Sequence, residues 1–378
     1  MTDNAKSPIL SKNVSSSIGL EPSLRFPGFE GDWLNKNLSN ITNYGKCRKS
    51  TKKKNYVSTE NMLQNYGGIN RYLSNEDVSG IAFEEHDILV ANIRPYLKKI
   101  WYAEFSGAAS TDVLVLKPNG IYSGFLKHII SNDSFINYVM SAVKGSKMPR
   151  GDKSHIMQYT FGVPVLLEQQ KIADFLSLVD ERIEKQRQLV EVLKRYKRGA
   201  LIKIFDGCEN WTKFLAKDVA KISTGSSNTQ DSVSNGIYPF FIRSANVSQS
   251  NKFVYDGEAV LTIGDGQIGK VFHYINGKFD CHQRVYMITK FNNVSGRYFY
   301  HFFSTFFYNR AMKMSARNTV DSVRMEMIAD MPIYVPDRQA EVRIVNFLDG
   351  IDSQIQQQEH VLEYLNIYKN GLLQQMFV

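Results

Sequence analysis

Basic and amide side chains gather in a few short stretches. Lys46, Arg48, Lys49, Lys52, Lys53 and Lys54 put six cations into nine residues, flanked by Tyr44 and Tyr56. Each such cation can neutralise a phosphate and release a counterion. Arg94, Tyr96, Lys98 and Lys99 surround Pro95, and Lys144, Lys147, Arg150 and Lys153 follow in a glycine-containing segment. Further along stand Arg243, Asn246, Arg310, Lys313, Arg317 and Asn318, with His282 and Arg284 on either side of Gln283. Arginine, lysine, asparagine and glutamine are the side chains that bind base edges in the major groove. The chemistry on offer is contact with nucleic acid. His282, alone at a turn, also reads as an ordinary solvated surface histidine.

Catalytic patterns are missing from the sequence. There is no Asp/Asn-Pro-Pro-Tyr segment, no HExxH and no GxSxG, and the seven histidines are scattered. Gly264-Asp-Gly-Gln-Ile-Gly269 matches a dinucleotide fingerprint, but a phosphate site needs a helix directly after its glycines. Here Lys270-Val-Phe-His-Tyr274 follows, a strand pattern running into Asn276-Gly277, which reads as a hairpin turn. The glycines therefore predict a tight turn between strands. No catalytic residue and no metal site is assigned.

These residues hang on a duplicated frame. Lys171-Ile-Ala-Asp-Phe-Leu-Ser-Leu-Val-Asp180 aligns without a gap to Arg343-Ile-Val-Asn-Phe-Leu-Asp-Gly-Ile-Asp352, at a shift of 172. The same shift pairs Pro164 with Pro336, Gln186 with Gln358, Lys197 with Lys369 and Phe205 with Phe377. A period this long marks a duplicated domain-plus-helix unit, since solenoid repeats run roughly 20–50 residues. Apolar residues step by four and three through Ile172, Leu176, Val179, Ile183, Val190 and Leu193, and in the copy through Ile344, Leu348, Ile351, Ile355, Leu362 and Leu365. That is a heptad seam. Gln186 and Gln358 interrupt it at equivalent points, as do Lys197 and Lys369. An antiparallel pair would bring the glutamines together at its middle, with the lysines reaching water toward its ends. A helix of about 38 residues is about 57 Å long, or on the order of one and a half turns of B-DNA.

Between the helices the chain reads as mixed α/β. Strand patterns lie at Asp87–Ala91 and Asp112–Leu116, then a helical stretch from Gly124 to Val143. The second copy has strand patterns at Ala259–Ile263, Lys270–Tyr274 and Arg284–Ile288, then an aromatic helix from Arg297 to Met314. The expected layout is a flexible leader over residues 1–22, a first domain over 23–163, a helix over 164–206, a second domain over 207–336 and a second helix over 337–378.

Hydrophobic residues at 43% and charged residues at 22% describe a globular chain. No apolar run reaches the roughly 18 residues of a membrane span, and the polar N-terminus lacks a secretory layout. Cys47, Cys208 and Cys281 are far apart, which suits a reducing cytoplasm. The net charge of +9 is compatible with nucleic acid without requiring it.

With the duplication in hand, the chain resembles the specificity subunit of Type I restriction-modification systems. The resemblance spans about Leu24 to Val378. It is carried by the proline-introduced helix starts Pro164-Val-Leu-Leu-Glu-Gln-Gln and Pro336-Asp-Arg-Gln-Ala-Glu-Val, with Phe26-Pro-Gly-Phe-Glu-Gly-Asp-Trp33 and the Gly264–Gly269 run. Ala340-Glu341-Val342 replaces Glu168-Gln169-Gln170 in the second start. The resemblance implies two target-recognition domains reading the halves of a split, asymmetric site in double-stranded DNA. It implies an antiparallel helix pair fixing the gap between them, and a chain without catalysis of its own. Two methyltransferase subunits and the restriction/translocase subunits would dock on it, and S-adenosylmethionine, ATP and Mg would be bound by those partners. Competing readings are the recognition end of a fused methyltransferase-nuclease, or a helix-pair scaffold that binds only protein.

Overall fold

The computed structural model describes residues 20–145, 147–314 and 322–378. Its contacts divide the chain into two units, one holding the chain up to Lys185 with Leu362–Val378, the other Gln186–Val361.

In the first unit the strands Leu34–Asn37 and Thr160–Val163 pair antiparallel and close the two ends of an α/β domain. Two four-stranded sheets lie between them. One centres on Ile88–Ala91 and Val113–Pro118, which pair antiparallel, and the apolar residues 88–91 and 113–116 are buried. The other runs Arg48–Lys52, Asp77–Phe83, Gly107–Ala109 and Tyr56–Val57. The basic stretch from Lys46 to Lys54 therefore includes an edge strand and the start of a 3-10 turn, Lys53–Asn55. The single helix expected from Gly124 to Val143 is two, Ser123–Ile130 and Asp133–Met140. Asn132 divides them, because its side chain accepts the Ser134 N–H and caps the second. The leader reading also ends early. Leu20 packs against the core, its carbonyl accepts the Trp33 N–H, and Pro22 is buried.

The second unit repeats the closure, with Thr212–Leu215 antiparallel to Pro332–Val335. Its six-stranded sheet is ordered Lys221–Thr224, Val285–Thr289, Tyr255–Ile263, Phe272–Cys281, Tyr238–Phe241, Val247–Ser250. The strand from Phe272 runs on through Asn276-Gly277 instead of turning there. Gly277 lies opposite Gly257, both at positive φ, and the ladder runs unbroken past them. The aromatic helix Gly296–Met314 buries Tyr298, Phe299, Phe302, Phe303 and Phe307 in the core.

The long helices are Leu166–Ile204 and Arg338–Met376, and they run antiparallel wherever they meet within a unit. In the first unit Ile172 and Leu176 share a core with Leu372, Leu373 and Met376, and Lys369 meets Asp180 at 2.6 Å. In the second, Gln186 meets Gln358, Lys197 meets Asp352, and Leu201 and Ile204 share a core with Ile344 and Val345. The seam positions Ile172, Val179, Ile183, Gln186, Val190, Leu193, Ile344, Ile351, Ile355, Gln358, Leu362 and Leu365 are all buried or half-buried. The lysines do not reach for water as expected. Each finds a half-buried carboxylate on the other helix, a stronger partner than solvent at that depth.

The helix starts keep one contact despite their different residues. The Gln169 side chain accepts the Tyr122 N–H, where the first domain's helix begins. Glu341, its equivalent at the shift of 172, accepts the Ser295 N–H at the start of the second domain's helix. Glu168, which has no acidic counterpart at Ala340, instead takes two hydrogen bonds from Arg25.

Candidate nucleic-acid interface

Each domain has a corner where the loop after a central strand is clamped on both sides. In the first, the Asn92 N–H donates to the Asp112 carbonyl at 2.8 Å, and the Gly151 N–H donates to the Asn92 carbonyl at 3.2 Å. Ile93 bridges to Arg150, and the Arg94 N–H donates to the Pro149 carbonyl. In the second, the Gly264 N–H donates to the Arg284 carbonyl at 2.8 Å, and the Val323 N–H donates to the Gly264 carbonyl at 2.7 Å. Asp265 bridges to Ser322. Five of these positions move by the same 172 that aligns the helices: 92 to 264, 93 to 265, 112 to 284, 150 to 322, 151 to 323.

The corners carry the same chemistry in inverted places. In the first, Arg150 pairs with Asp112 at 3.2 Å. In the second the position of Asp112 is an arginine, Arg284, and the position of Ile93 is an acid, Asp265. Asp265 holds Arg284 at 3.1 Å and Arg243 at 3.2 Å. The Gly264–Gly269 run is thus a turn with no helix after it, as its pattern predicts, and its acidic residue organises two arginines.

Several basic candidates join the first corner. Arg94 is exposed in a left-handed conformation, Tyr96 is exposed, and Lys147 is exposed in the segment that returns to Arg94. Arg48 is exposed on the edge strand, opposite Ile81. Burial holds the Tyr56 phenol above its usual range and Tyr72 adds to it, while Arg48 lowers it and Asp112 raises it. Other candidates have local partners. Lys52 pairs with Asp77, Lys53 with Glu76, and Lys98 with Asp133, while Lys99 donates to the Thr59 carbonyl. Lys144 pairs with Asp152, and Lys153 begins a short helix, exposed. Lys46, Lys49 and Lys54 are exposed.

In the second domain Arg243, Asn246 and Arg284 are exposed, and Gln283 donates to the Asn228 side chain at 2.7 Å. His282 is not the surface residue expected. It is 4% exposed, and its Nδ1 accepts the Arg284 N–H at 3.0 Å, which shapes the turn presenting Arg284. Burial, then Arg243, holds this imidazole below its usual range despite Asp265, so it is neutral at pH 7. Arg310 has a structural task, binding the Met327 and Asp330 carbonyls. Lys313 is exposed at the end of its helix, and Arg317 and Asn318 lie outside the described residues.

Sequence reasoning missed Asp112 and Asp265, since it looked for cations. Carrying the shift of 172 into the domains would have aligned Asp112 with Arg284. Among the described residues one group could hold a metal, His301 with Asp349 and Asp352. Its carboxylates already have cations: Arg297 meets Asp349 at 2.7 Å, and Lys197 meets Asp352. The group fastens the second domain's helix to the second long helix.

A model of the family described as the Type I restriction modification DNA specificity domain matches twice, over residues 29–195 and 208–366. The chain is 25% identical over 156 residues to the Type I restriction enzyme EcoDI specificity subunit of Escherichia coli, covering 41% of this chain and 34% of that protein. It thus spans about a third of that relative's length. In fold it is similar to the Type-I restriction-modification system S subunit from M. genitalium, with a TM-score of 0.63, 14% identity, and 95% and 99% of the two chains covered. It is also similar to a chain of a type I R-M system solved for its complex assembly and conformational transition, with a TM-score of 0.51, 15% identity, and 90% and 96% covered.

Proposed function

The chain belongs to the Type I restriction modification DNA specificity family, and on that premise we propose that it is the sequence-reading subunit of a Type I restriction-modification complex. Each domain reads one half of a split target in double-stranded DNA, and the long helices set the gap. The observation that carries this reading is the twice-built corner. One backbone clamp presents Arg150 with Asp112 in one domain, and Arg284 with Asp265 in the other, where Asp265 also holds Arg243. A common frame with exchanged charges suits two readers of different sequences.

The chain has no catalytic role in this reading. Methylation belongs to two methyltransferase subunits that bind S-adenosylmethionine, and cleavage to restriction/translocase subunits that use ATP and Mg. The outer faces of the long helices supply docking surface. Leu178, Leu189, Val192 and Tyr196 are exposed on the first, and Phe347, Tyr364, Ile367 and Tyr368 on the second. Among the described residues no helix is long and apolar enough to cross a membrane, and the proposed setting is the cytoplasm.

The test is a methylome of cells expressing the chain with its methyltransferase partner, against cells lacking the chain. Adenine methylation at one two-part motif is expected. Methylation independent of the chain would refute the reading, and binding of S-adenosylmethionine by the pure chain would favour the fused-enzyme alternative.

A further inference from the structure

We infer that Asp265 is a specificity-positioning residue of the second domain, holding Arg243 and Arg284 side by side so that they read guanine. The inference rests on the DNA-reading function proposed above and says how one half of it works.

The backbone at Asp265 has little freedom. Gly264 is hydrogen-bonded on both sides, and a Cβ there would lie 2.9 Å from the Arg284 carbonyl oxygen. Gly266 follows at a φ of +81°, which turns the chain away at once. Asp265 is thereby fixed beside the strand start that carries Arg284. Its side chain is 18% exposed, while those of Arg243 and Arg284 are 48% and 63% exposed. The acid is withdrawn and the cations project.

The bonding leaves the arginines able to work. Each gives Asp265 only its Nη1. Among the described residues nothing else holds Nε or Nη2 of either. A guanidinium edge with two parallel N–H groups is what meets guanine O6 and N7 together. Two arginines without an acid between them would repel and splay. With it they stand together, their motion restricted before any DNA arrives, and the cluster keeps one net positive charge toward the phosphates. His282 supports the arrangement from below by fixing the Arg284 N–H.

The experiment uses the chain co-expressed with its methyltransferase partner. Its methylome first gives the wild-type motif. Methylation is then measured on a plasmid library carrying every single-base change of that motif, for wild type, Asp265→Asn, Asp265→Glu and Arg284→Lys. The half-site assigned to residues 207–336 is expected to contain guanine. Asp265→Asn should reduce discrimination at one or two G·C pairs of that half by roughly tenfold or more. The other half-site serves as an internal control for folding and should be unchanged, and Asp265→Glu should restore part of the preference. Arg284→Lys should relax the same position, because lysine lacks the paired edge. Binding to random DNA should stay equal or tighten in Asp265→Asn, since a negative charge is gone. A half-site without guanine, or an Asp265→Asn enzyme with wild-type preferences or with uniform loss at both halves, overturns the inference. Absence of any motif in the wild-type methylome would instead overturn the DNA-reading function itself.

Discussion

Gln186 donates its side-chain N–H groups to Gln358, its own equivalent at a separation of 172 residues, at 2.9 Å to the Oε1 and 2.9 Å to the main-chain carbonyl. Antiparallel helices that touch at equivalent positions are in register there. The bond also relieves two half-buried amides that would otherwise lack partners among apolar seam neighbours.

That contact should behave as a register pin. Gln186→Leu alone leaves the Gln358 amide facing an apolar group and should lower stability by about 1–2 kcal/mol. Gln186→Leu with Gln358→Leu should recover most of that loss, since apolar replacement of both partners is close to neutral. Chemical denaturation of the single and double variants decides it. Cysteines at positions 186 and 358 should form a disulfide readily, and failure to crosslink would contradict the antiparallel pairing.

Lys197 with Asp352 and Lys369 with Asp180 are the same ion pair built twice. Burial pushes the Asp180 carboxyl up, but Lys369 and Lys127 outweigh it and hold it below its usual range. Removing one partner strands a half-buried charge, so Lys197→Met should cost about 1–3 kcal/mol. A double-mutant cycle with Asp352→Asn measures the coupling. A coupling near zero would reduce the pair to surface decoration.

The basic edge strand should contribute to phosphate binding unevenly. Lys46, Lys49 and Lys54 are exposed, whereas Lys52 and Lys53 are held by Asp77 and Glu76. Replacing the first three with alanine should flatten the salt dependence of DNA binding by up to about 2.7 units of slope, roughly 0.9 per phosphate contact. Replacing Lys52 and Lys53 should change it less. Equal slopes in both variants and in wild type would place the strand away from DNA.

Acid should loosen the first unit through His128. This histidine is fully buried, its Nε2 has no partner, and burial holds its imidazole down to about 3. The unfolded chain protonates it near its ordinary value of 6.5, and the folded chain does not. Stability is therefore complete above that value and is lost as pH falls toward 3, by about 1.4 kcal/mol per pH unit. Burial lowers His301 in the same direction, so the second unit loses stability in acid by the same route. Between pH 6 and 5 the stability of His128→Gln should fall less steeply than that of wild type. Identical slopes would show that another group controls the acid limb.

The long helices were legible because heptad spacing and an ungapped repeat are local, redundant signals. Ile183 and Ile355 lie where the pattern put them. The corners were not legible, because Asp265 with Arg243 and Arg150 with Asp112 are long-range meetings that only strand register creates. The fate of Lys197 was hidden for the same reason, since its sequence position gave its charge but not the carboxylate across from it. His282 was misjudged because a lone histidine near a turn gives no hint of its depth.

Gln169 and Glu341 fasten their domains through main-chain N–H groups, at Tyr122 and Ser295. A peptide N–H is the same whatever side chain follows it. The joint works like a standard socket, indifferent to the part plugged in, and accepts a neutral amide or a carboxylate as its latch. Recombination that brings in a new domain with a helix beginning at that place would find its attachment already made. New recognition could then be acquired by exchanging whole parts, and the fixture that holds them would not have to be reinvented each time.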